Sequence, residues 1–128
     1  AVVTDHAPHE WEEKDQEFNL APSGFVGLET SVGAMLTHLY HTGIIDLMTM
    51  VNVMSTAQAK ILGLDAGVIA PGKDADLTIL DLDKEWTVDS SKFYSKGKST
   101  PFDEMIFKGK AAAAIVNGKF VMKNGEVL

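Results

Sequence analysis

A group of side chains that can do chemistry lies at residues 4–9, which read TDHAPH. Asp5 follows a short β-prone run at residues 1–4, and His9 lies four positions after it. A carboxylate at a strand end can ligate a metal ion and can also move protons. A histidine can bind a substrate carboxylate, either protonated or as a neutral N–H donor. These residue types could form a hydrolytic site in which Asp5 is a metal ligand and proton carrier and His9 binds the substrate.

The same residues also have structural interpretations, because an isolated carboxylate-to-histidine spacing of four is a weak motif. His6 fits a packing or hydrogen-bonding role better than a ligand role. His38 and His41 fall on a predicted helix, as a helix-side residue and a charge near its C-terminal dipole. The acidic stretch at residues 10–17 is typical of a solvated loop, and Gly24 is typical of a turn.

The elements that must position this motif begin with a long loop over residues 8–24. Loops of this length inside a compact domain are uncommon and usually functional. Apolar residues at helical spacing then predict a helix over residues 29–41. Asp46 is the expected cap of a second helix, and a third is predicted over residues 56–62, ended by Gly63.

The second half of the chain has sequence patterns typical of β-strands and turns. Residues 77–80 and 86–88 are predicted as strands, and residues 89–110 as mostly irregular. Asn117-Gly118 suits a type I′ turn between two apolar runs, and Asn124-Gly125 is a second turn of the same kind. The predicted order is therefore one strand, a long loop, helices and a β-rich tail.

Composition restricts the class of protein. The chain has 128 residues, of which 45% are hydrophobic, and this favours a folded globular class. The net charge of −7 argues against nucleic acid and against an anionic membrane as partners. With no cysteine, the chain can form neither disulfides nor thiolate metal sites, which fits a cytoplasmic protein. No apolar run is long enough to span a bilayer, and no signal peptide is visible.

A resemblance to a known family extends over essentially the whole chain. The segments that carry it are TDHAPH followed by EK, then APSGFVGLET, GLDAGVIAPGKDADLTILD, KSTPF and VNGKFV. Together they resemble the C-terminal third of bacterial zinc-dependent dihydroorotases, within the amidohydrolase superfamily. The resemblance implies an enzyme of de novo pyrimidine biosynthesis that interconverts (S)-dihydroorotate and N-carbamoyl-L-aspartate. The G-x-I-x-x-G-x-x-A-D-L pattern alone marks only the wider superfamily, which includes hydantoinases and allantoinases.

The resemblance also implies roles for individual residues. Asp5 matches a zinc ligand that is the general base and acid, and His9 matches the histidine that holds the substrate carboxylate. Ser23 and Gly24 match a loop pair that touches the substrate through its backbone. The family commonly has a bulky residue where Ser23 stands. The other ligands of Zn²⁺ would lie upstream of these residues.

The implied architecture is α/β. Residues 1–66 would be the last strand and helices of a (β/α)8 barrel, and residues 67–128 the β-rich part of a small β-sandwich domain. Both units would be incomplete, so we expect a fragment of a longer parent that is inactive alone. Expected partners are the remainder of the parent chain, a second copy in a homo-oligomer, and a carbamoyltransferase.

Three alternatives remain at this point. The chain could belong to another cyclic amidohydrolase of the hydantoinase or allantoinase type, although TDHAPH with GLET downstream argues against it. It could be a non-catalytic, dihydroorotase-like partner of a carbamoyltransferase, although such a scaffold has no physical need for Asp5 and His9. It could also be a freestanding small α/β binding module.

Overall fold

The structure is a computed structural model that describes all residues, 1–128. The first half contains short helices joined by irregular segments, and the second half contains an antiparallel sheet. The helices are α1 (Trp11–Lys14), α2 (Ser31–Met35), α3 (Leu47–Val51) and α4 (Ala57–Leu62), with π-helical turns at Leu36–Tyr40 and Asn52–Thr56. None of them combines the length and the apolar character that a membrane-spanning helix requires.

The helix predicted over residues 29–41 is confirmed. It begins at Ser31 and continues from α2 through the first π-helical turn to Tyr40. The predicted cap at Asp46 is also confirmed, since its Oδ1 accepts a hydrogen bond from the Thr49 N–H at 2.7 Å. That backbone donor lowers the pKa of the Asp46 carboxyl. The cap therefore stabilises α3 at neutral pH, and this contribution is lost as the pH falls through the folded-state pKa.

The predicted division between a second and a third helix is wrong. The α3 helix, the second π-helical turn and α4 follow one another without a gap. Neither glycine nor proline interrupts these residues. Thr56, the predicted start of a separate helix, donates its hydroxyl to the Gly67 carbonyl at 2.8 Å instead of capping α4. The predicted stop at Gly63 is confirmed, because this residue adopts a left-handed conformation with φ +66°.

The N-terminal residues do not form the predicted strand. Residues 1–4 have no strand partner in this chain, although Val2 N–H donates to the Val53 carbonyl at 2.8 Å and so holds the segment against the helices. The nearest β-type contact is an isolated parallel bridge between His6 and Phe25. A strand needs a neighbour to accept its hydrogen bonds. The expectation of a barrel strand here is therefore not met by the chain itself.

The sheet has the order β1-β2-β3-β4, with every pair antiparallel. Its strands are β1 (Leu77–Thr87), β2 (Ile106–Val116), β3 (Lys119–Lys123) and β4 (Glu126–Val127). The two strands predicted before residue 89 are one strand, and part of the predicted irregular stretch belongs to β2. Both predicted hairpin turns are confirmed, with φ of 50° and 74° at Asn117-Gly118 and 55° and 88° at Asn124-Gly125.

Helix α2 packs against β2, and this contact joins the two halves of the chain. Phe107 and Leu36 are fully buried there. Thr37 Oγ1 lies 2.9 Å from the Lys108 N–H, which donates to it. Gly33 permits the close approach, because a Cβ at this position would lie 2.7 Å from Phe107 Cδ2 and 2.9 Å from Trp86 Cζ2.

Much apolar surface stays uncovered. Only 14 of the 128 residues are buried, and many large apolar side chains are exposed, among them Val3, Trp11, Phe18, Leu20, Ile44, Met48, Ile69 and Ile106. Strand β1 is 11 residues long and lies at an open edge of the sheet. Exposed apolar patches and unpaired strand edges favour association with another chain.

We therefore expect the 128-residue chain alone to self-associate, or to purify together with another polypeptide that covers these surfaces. Analytical ultracentrifugation should show species heavier than 13.8 kDa. A single monomeric species at high concentration, with no copurifying chain, would contradict this expectation.

The packing of α2 on β2 generates a second prediction. An alanine at an exposed helical glycine normally stabilises a protein by up to about 1 kcal/mol. Gly33→Ala should instead lower the free energy of unfolding by about 1–3 kcal/mol, because the new methyl group has no room beside the buried ring of Phe107 and the partly buried ring of Trp86. Urea unfolding measures this. In a Phe107→Leu background the cost should shrink, and an equal cost in both backgrounds would show that Phe107 is not the obstacle.

Candidate functional site

Asp5 presents a free carboxylate. Its side chain is exposed, and no hydrogen bond or ion pair of the chain involves its carboxyl oxygens. Its φ is +44°, a left-handed conformation that residues other than glycine seldom adopt. Such backbone conformations persist only where the surroundings hold them, and they cluster at functional sites. Asp5 is therefore accessible, as a metal ligand or proton carrier must be, and its carboxylate makes no contact that stabilises the fold.

His6 is a hydrogen-bonding residue, as one sequence interpretation proposed. Its Nδ1 lies 3.1 Å from the Gly27 N–H and 3.4 Å from the Leu28 N–H, and both are donors. The Nδ1 atom must therefore be unprotonated, with the ring proton on Nε2. This imidazole ties the TDHAPH segment to the backbone of residues 27 and 28.

His9 lies between two acceptors. Its Nδ1 is 3.3 Å from Glu13 Oε2, and its Nε2 is 3.0 Å from the Ser23 carbonyl oxygen. A ring nitrogen can bond to an acceptor only if it carries a proton. Both contacts are therefore satisfied together by the imidazolium form. The ring is therefore held between Glu13 of α1 and the backbone of the loop at Ser23.

The loop that contains Ser23 and Gly24 lies directly against the TDHAPH segment. Gly24 has φ +110°, and a Cβ there would lie 2.7 Å from Ala7 Cβ, so only glycine fits. The Ala7 N–H donates to the Phe25 carbonyl at 3.0 Å. The structure thus brings His9, Ser23 and Gly24 together, whereas no hydrogen bond or ion pair connects Asp5 with any of them.

A second loop, residues 93–99, covers the motif from another side. Gly97 is buried, and a Cβ at this position would lie 2.9 Å from Pro8 Cβ and 3.2 Å from the His9 backbone nitrogen. The Val26 N–H donates to the Ser99 carbonyl at 2.9 Å. The carboxylate of Glu29 accepts the N–H groups of residues 94 and 95 at 2.9 and 3.0 Å. Residues far apart in the chain therefore pack against Pro8 and His9.

Three residues of this arrangement were missed by the sequence analysis: Lys14, Glu29 and Gly97. Glu29 looked like the first residue of a helix, and Gly97 looked like a loop glycine. Lys14 did carry a signal, since it is the one cation in the acidic stretch at residues 10–17. Their contacts depend on partners distant in sequence, which a local pattern does not reveal.

The chain by itself does not assemble a metal site. No group of three or more Asp, Glu or His side chains is close enough together to hold an ion. Asp5 is chemically suited to be one ligand, because it is a free carboxylate. The residues present therefore fit a metal only if other ligands come from outside these 128 residues.

A well-defined cavity lies elsewhere. A groove of about 540 Å³ opens between α2 and the sheet, and its walls include Val32, Trp86, Tyr94 and Lys110. None of Asp5, His9, Ser23 or Gly24 lines it. The candidate site, formed by the TDHAPH segment and its two covering loops, therefore lies outside this groove.

Comparison with known proteins identifies a family for this chain. The model of the amidohydrolase family matches residues 1–121. A dihydroorotase of Pelotomaculum thermopropionicum is 46% identical over 96% of this chain, and one of Geobacter metallireducens is 49% identical over the same share. This chain covers 29% of the length of each of these two proteins.

Solved structures agree in fold. The L-hydantoinase (dihydropyrimidinase) from Arthrobacter aurescens superposes with a TM-score of 0.83 and 41% identity, over 88% of this chain and 25% of that protein. The dihydropyrimidinase from Brevibacillus agri gives a TM-score of 0.88 at 25% identity, over 97% of this chain and 28% of that protein. The family match over nearly the whole chain, together with these likenesses, shows that the chain belongs to the amidohydrolase family.

Proposed function

We propose that this chain is the C-terminal part of a zinc-dependent dihydroorotase, which interconverts (S)-dihydroorotate and N-carbamoyl-L-aspartate in de novo pyrimidine biosynthesis. The observation that carries the proposal is the identity of 46% and 49% to two dihydroorotases over 96% of the chain. The chain spans less than a third of these relatives. The activity therefore belongs to a longer polypeptide that contains these residues.

Asp5 is proposed as the proton carrier and as one zinc ligand. When bound, zinc would polarise the scissile carbonyl and make a water molecule more acidic. Asp5 takes the proton from the attacking water and delivers it to the ring nitrogen as the amide bond opens. Its free, exposed carboxylate supports this role, because no internal contact has to be broken first.

His9 is proposed to hold the carboxylate of the substrate. The ring is held by two acceptors, and one of them, Glu13, is itself a carboxylate whose side chain is 56% exposed. A substrate carboxylate offers the same kind of acceptor as Glu13 and could replace it. The second bond, to the Ser23 carbonyl, would keep the ring oriented during this exchange. Ser23 and Gly24 would then touch the substrate through their backbone.

The proposed architecture assigns residues 1–66 to a (β/α)8 barrel and residues 67–128 to a small β-sandwich. The lack of a strand partner for residues 1–4 and the open edge at β1 support this, since both would pair with strands from the rest of the polypeptide. The exposed apolar side chains would be covered in the same way. A homo-oligomer and a carbamoyltransferase are the further partners that we propose.

A hydantoinase is the second candidate, and the 41% identity to the Arthrobacter aurescens L-hydantoinase favours it. The two substrates differ at one group that the site can sense. Dihydroorotate has a carboxylate on its ring, whereas hydantoin has none. The ring nitrogens of His9 already face two acceptors, one of them the carboxylate of Glu13, and this suits the substrate that has a carboxylate. A non-catalytic role would leave the free carboxylate of Asp5 without a purpose.

We expect no turnover of dihydroorotate by the purified 128-residue chain with added Zn²⁺. Catalytic zinc sites use about three protein ligands, and this chain assembles no such group. Chromatographic detection of N-carbamoyl-L-aspartate is the assay, with the Geobacter metallireducens dihydroorotase as positive control. Product formed by the chain alone would refute the assignment of the remaining ligands to other residues.

In the complete polypeptide, Asp5→Asn and His9→Ala should have different effects. Loss of the Asp5 carboxylate should lower kcat by about 10²–10⁴-fold, the range of general acid–base catalysis, and should also weaken zinc binding. His9→Ala should raise KM about ten- to a hundredfold, since a charge-assisted hydrogen bond contributes about 1.5–3 kcal/mol. It should leave the zinc content unchanged.

Steady-state kinetics and metal analysis distinguish these outcomes. Asp15→Asn is the matched control, because it removes an exposed carboxylate of the same segment that makes no side-chain hydrogen bond or ion pair. Its kinetics should equal those of the unchanged protein. Loss of zinc in His9→Ala, combined with full metal and near-normal kcat in Asp5→Asn, would show that the two roles are assigned wrongly.

A further inference from the structure

Lys14 differs from the residues around it in its burial and in its hydrogen-bond partners. It is the only residue between Glu10 and Leu20 that is not exposed. Acidic side chains surround it in sequence, namely Glu10, Glu12, Glu13, Asp15 and Glu17. Its ammonium group nevertheless forms no ion pair with any of them. A partly buried ammonium group needs hydrogen-bond acceptors. The acceptors that Lys14 contacts therefore indicate what this side chain does.

These acceptors are two backbone carbonyls of the candidate substrate loop. Lys14 Nζ donates to the Pro22 carbonyl at 2.8 Å and to the Gly24 carbonyl at 3.1 Å. The carbonyl between them, that of Ser23, accepts from His9 Nε2 at 3.0 Å. Three successive carbonyls are therefore held by two side chains, Lys14 and His9, of the segment that contains TDHAPH and α1.

Holding the carbonyls also fixes the direction of the N–H groups. All peptide bonds of the chain are trans, so each N–H points away from the carbonyl of the same peptide unit. The bond from Lys14 to the Pro22 carbonyl sets the Ser23 N–H, and the bond from His9 to the Ser23 carbonyl sets the Gly24 N–H. Neither N–H donates to any group of the protein. Both remain available to a ligand.

We propose that Lys14 is a positioning residue, which fixes the peptide units of residues 22–24 so that the Ser23 and Gly24 N–H groups face the substrate. The inference rests on the proposed dihydroorotase function. The ligand it fits is a cyclic amide, whose carbonyl or carboxylate oxygens accept two fixed N–H donors. Both hydrogen bonds of Lys14 go to loop carbonyls, and neither reaches Asp5. It therefore acts on binding and not on the chemical step.

The test compares Lys14→Met, Lys14→Gln and Lys14→Arg in the complete polypeptide, with Lys60→Met as matched control. Lys60 is an exposed lysine of α4 that makes no side-chain hydrogen bond or ion pair. Lys14→Met removes both hydrogen bonds to the loop and should raise KM for dihydroorotate about tenfold or more, since one charge-assisted hydrogen bond alone corresponds to about a decade. Its kcat and zinc content should change less than about twofold, because the groups of the chemical step are intact.

A graded recovery of KM across the three variants distinguishes a positioning role of Lys14 from a purely structural one. Lys14→Arg, which keeps the charge and several donors, should recover most of the affinity, and Lys14→Gln, with one amide group, should be intermediate. Amide hydrogen exchange over residues 23–25 should be faster in Lys14→Met than in Lys60→Met. A KM for Lys14→Met equal to that of the active unchanged protein would overturn the inference. An unchanged protein that does not turn over dihydroorotate would instead overturn the proposed function.

Discussion

The candidate site depends on one constraint, the polar attachment of the TDHAPH segment to the backbone of residues 22–28. Two histidines of the motif form this attachment, one as a hydrogen-bond acceptor and the other as a donor. His6 accepts N–H groups through Nδ1, whereas His9 donates to a carbonyl through Nε2. The hydrogen bond from Ala7 to Phe25 lies between these two contacts. Three of the four residues that follow Asp5, namely His6, Ala7 and His9, are held in this way.

This attachment extends to the rest of the chain through a few close approaches. Gly97 lets the second loop pass over Pro8, and Glu29 holds that loop through two N–H groups 65 and 66 residues away in sequence. Glu29 lies two residues before α2, which packs on β2 through Gly33 and the buried ring of Phe107. The sheet is therefore connected to the site through α2 and Glu29, although none of its strands contributes a site residue.

The sequence predicted well those features that local chemistry decides. Asn117-Gly118 forms its hairpin because both residues tolerate positive φ, and Asp46 caps its helix through a donor three residues away. It predicted poorly what depends on distant partners. Residues 1–4 have strand propensity but no neighbour, and the role of Lys14 depends on carbonyls 8 and 10 residues later. The roles of Asp5, His9, Ser23 and Gly24 remain predictions, and the geometry is compatible with all four.

The most direct test of this account is a crystal structure of the complete polypeptide with bound dihydroorotate, with anomalous scattering measured at the zinc edge. The account predicts a zinc peak about 2.0–2.2 Å from an Asp5 carboxylate oxygen. It also predicts the substrate carboxylate at a ring nitrogen of His9, with the Ser23 and Gly24 N–H groups directed at the substrate. Zinc held without Asp5, or a substrate carboxylate bound away from His9, would contradict it.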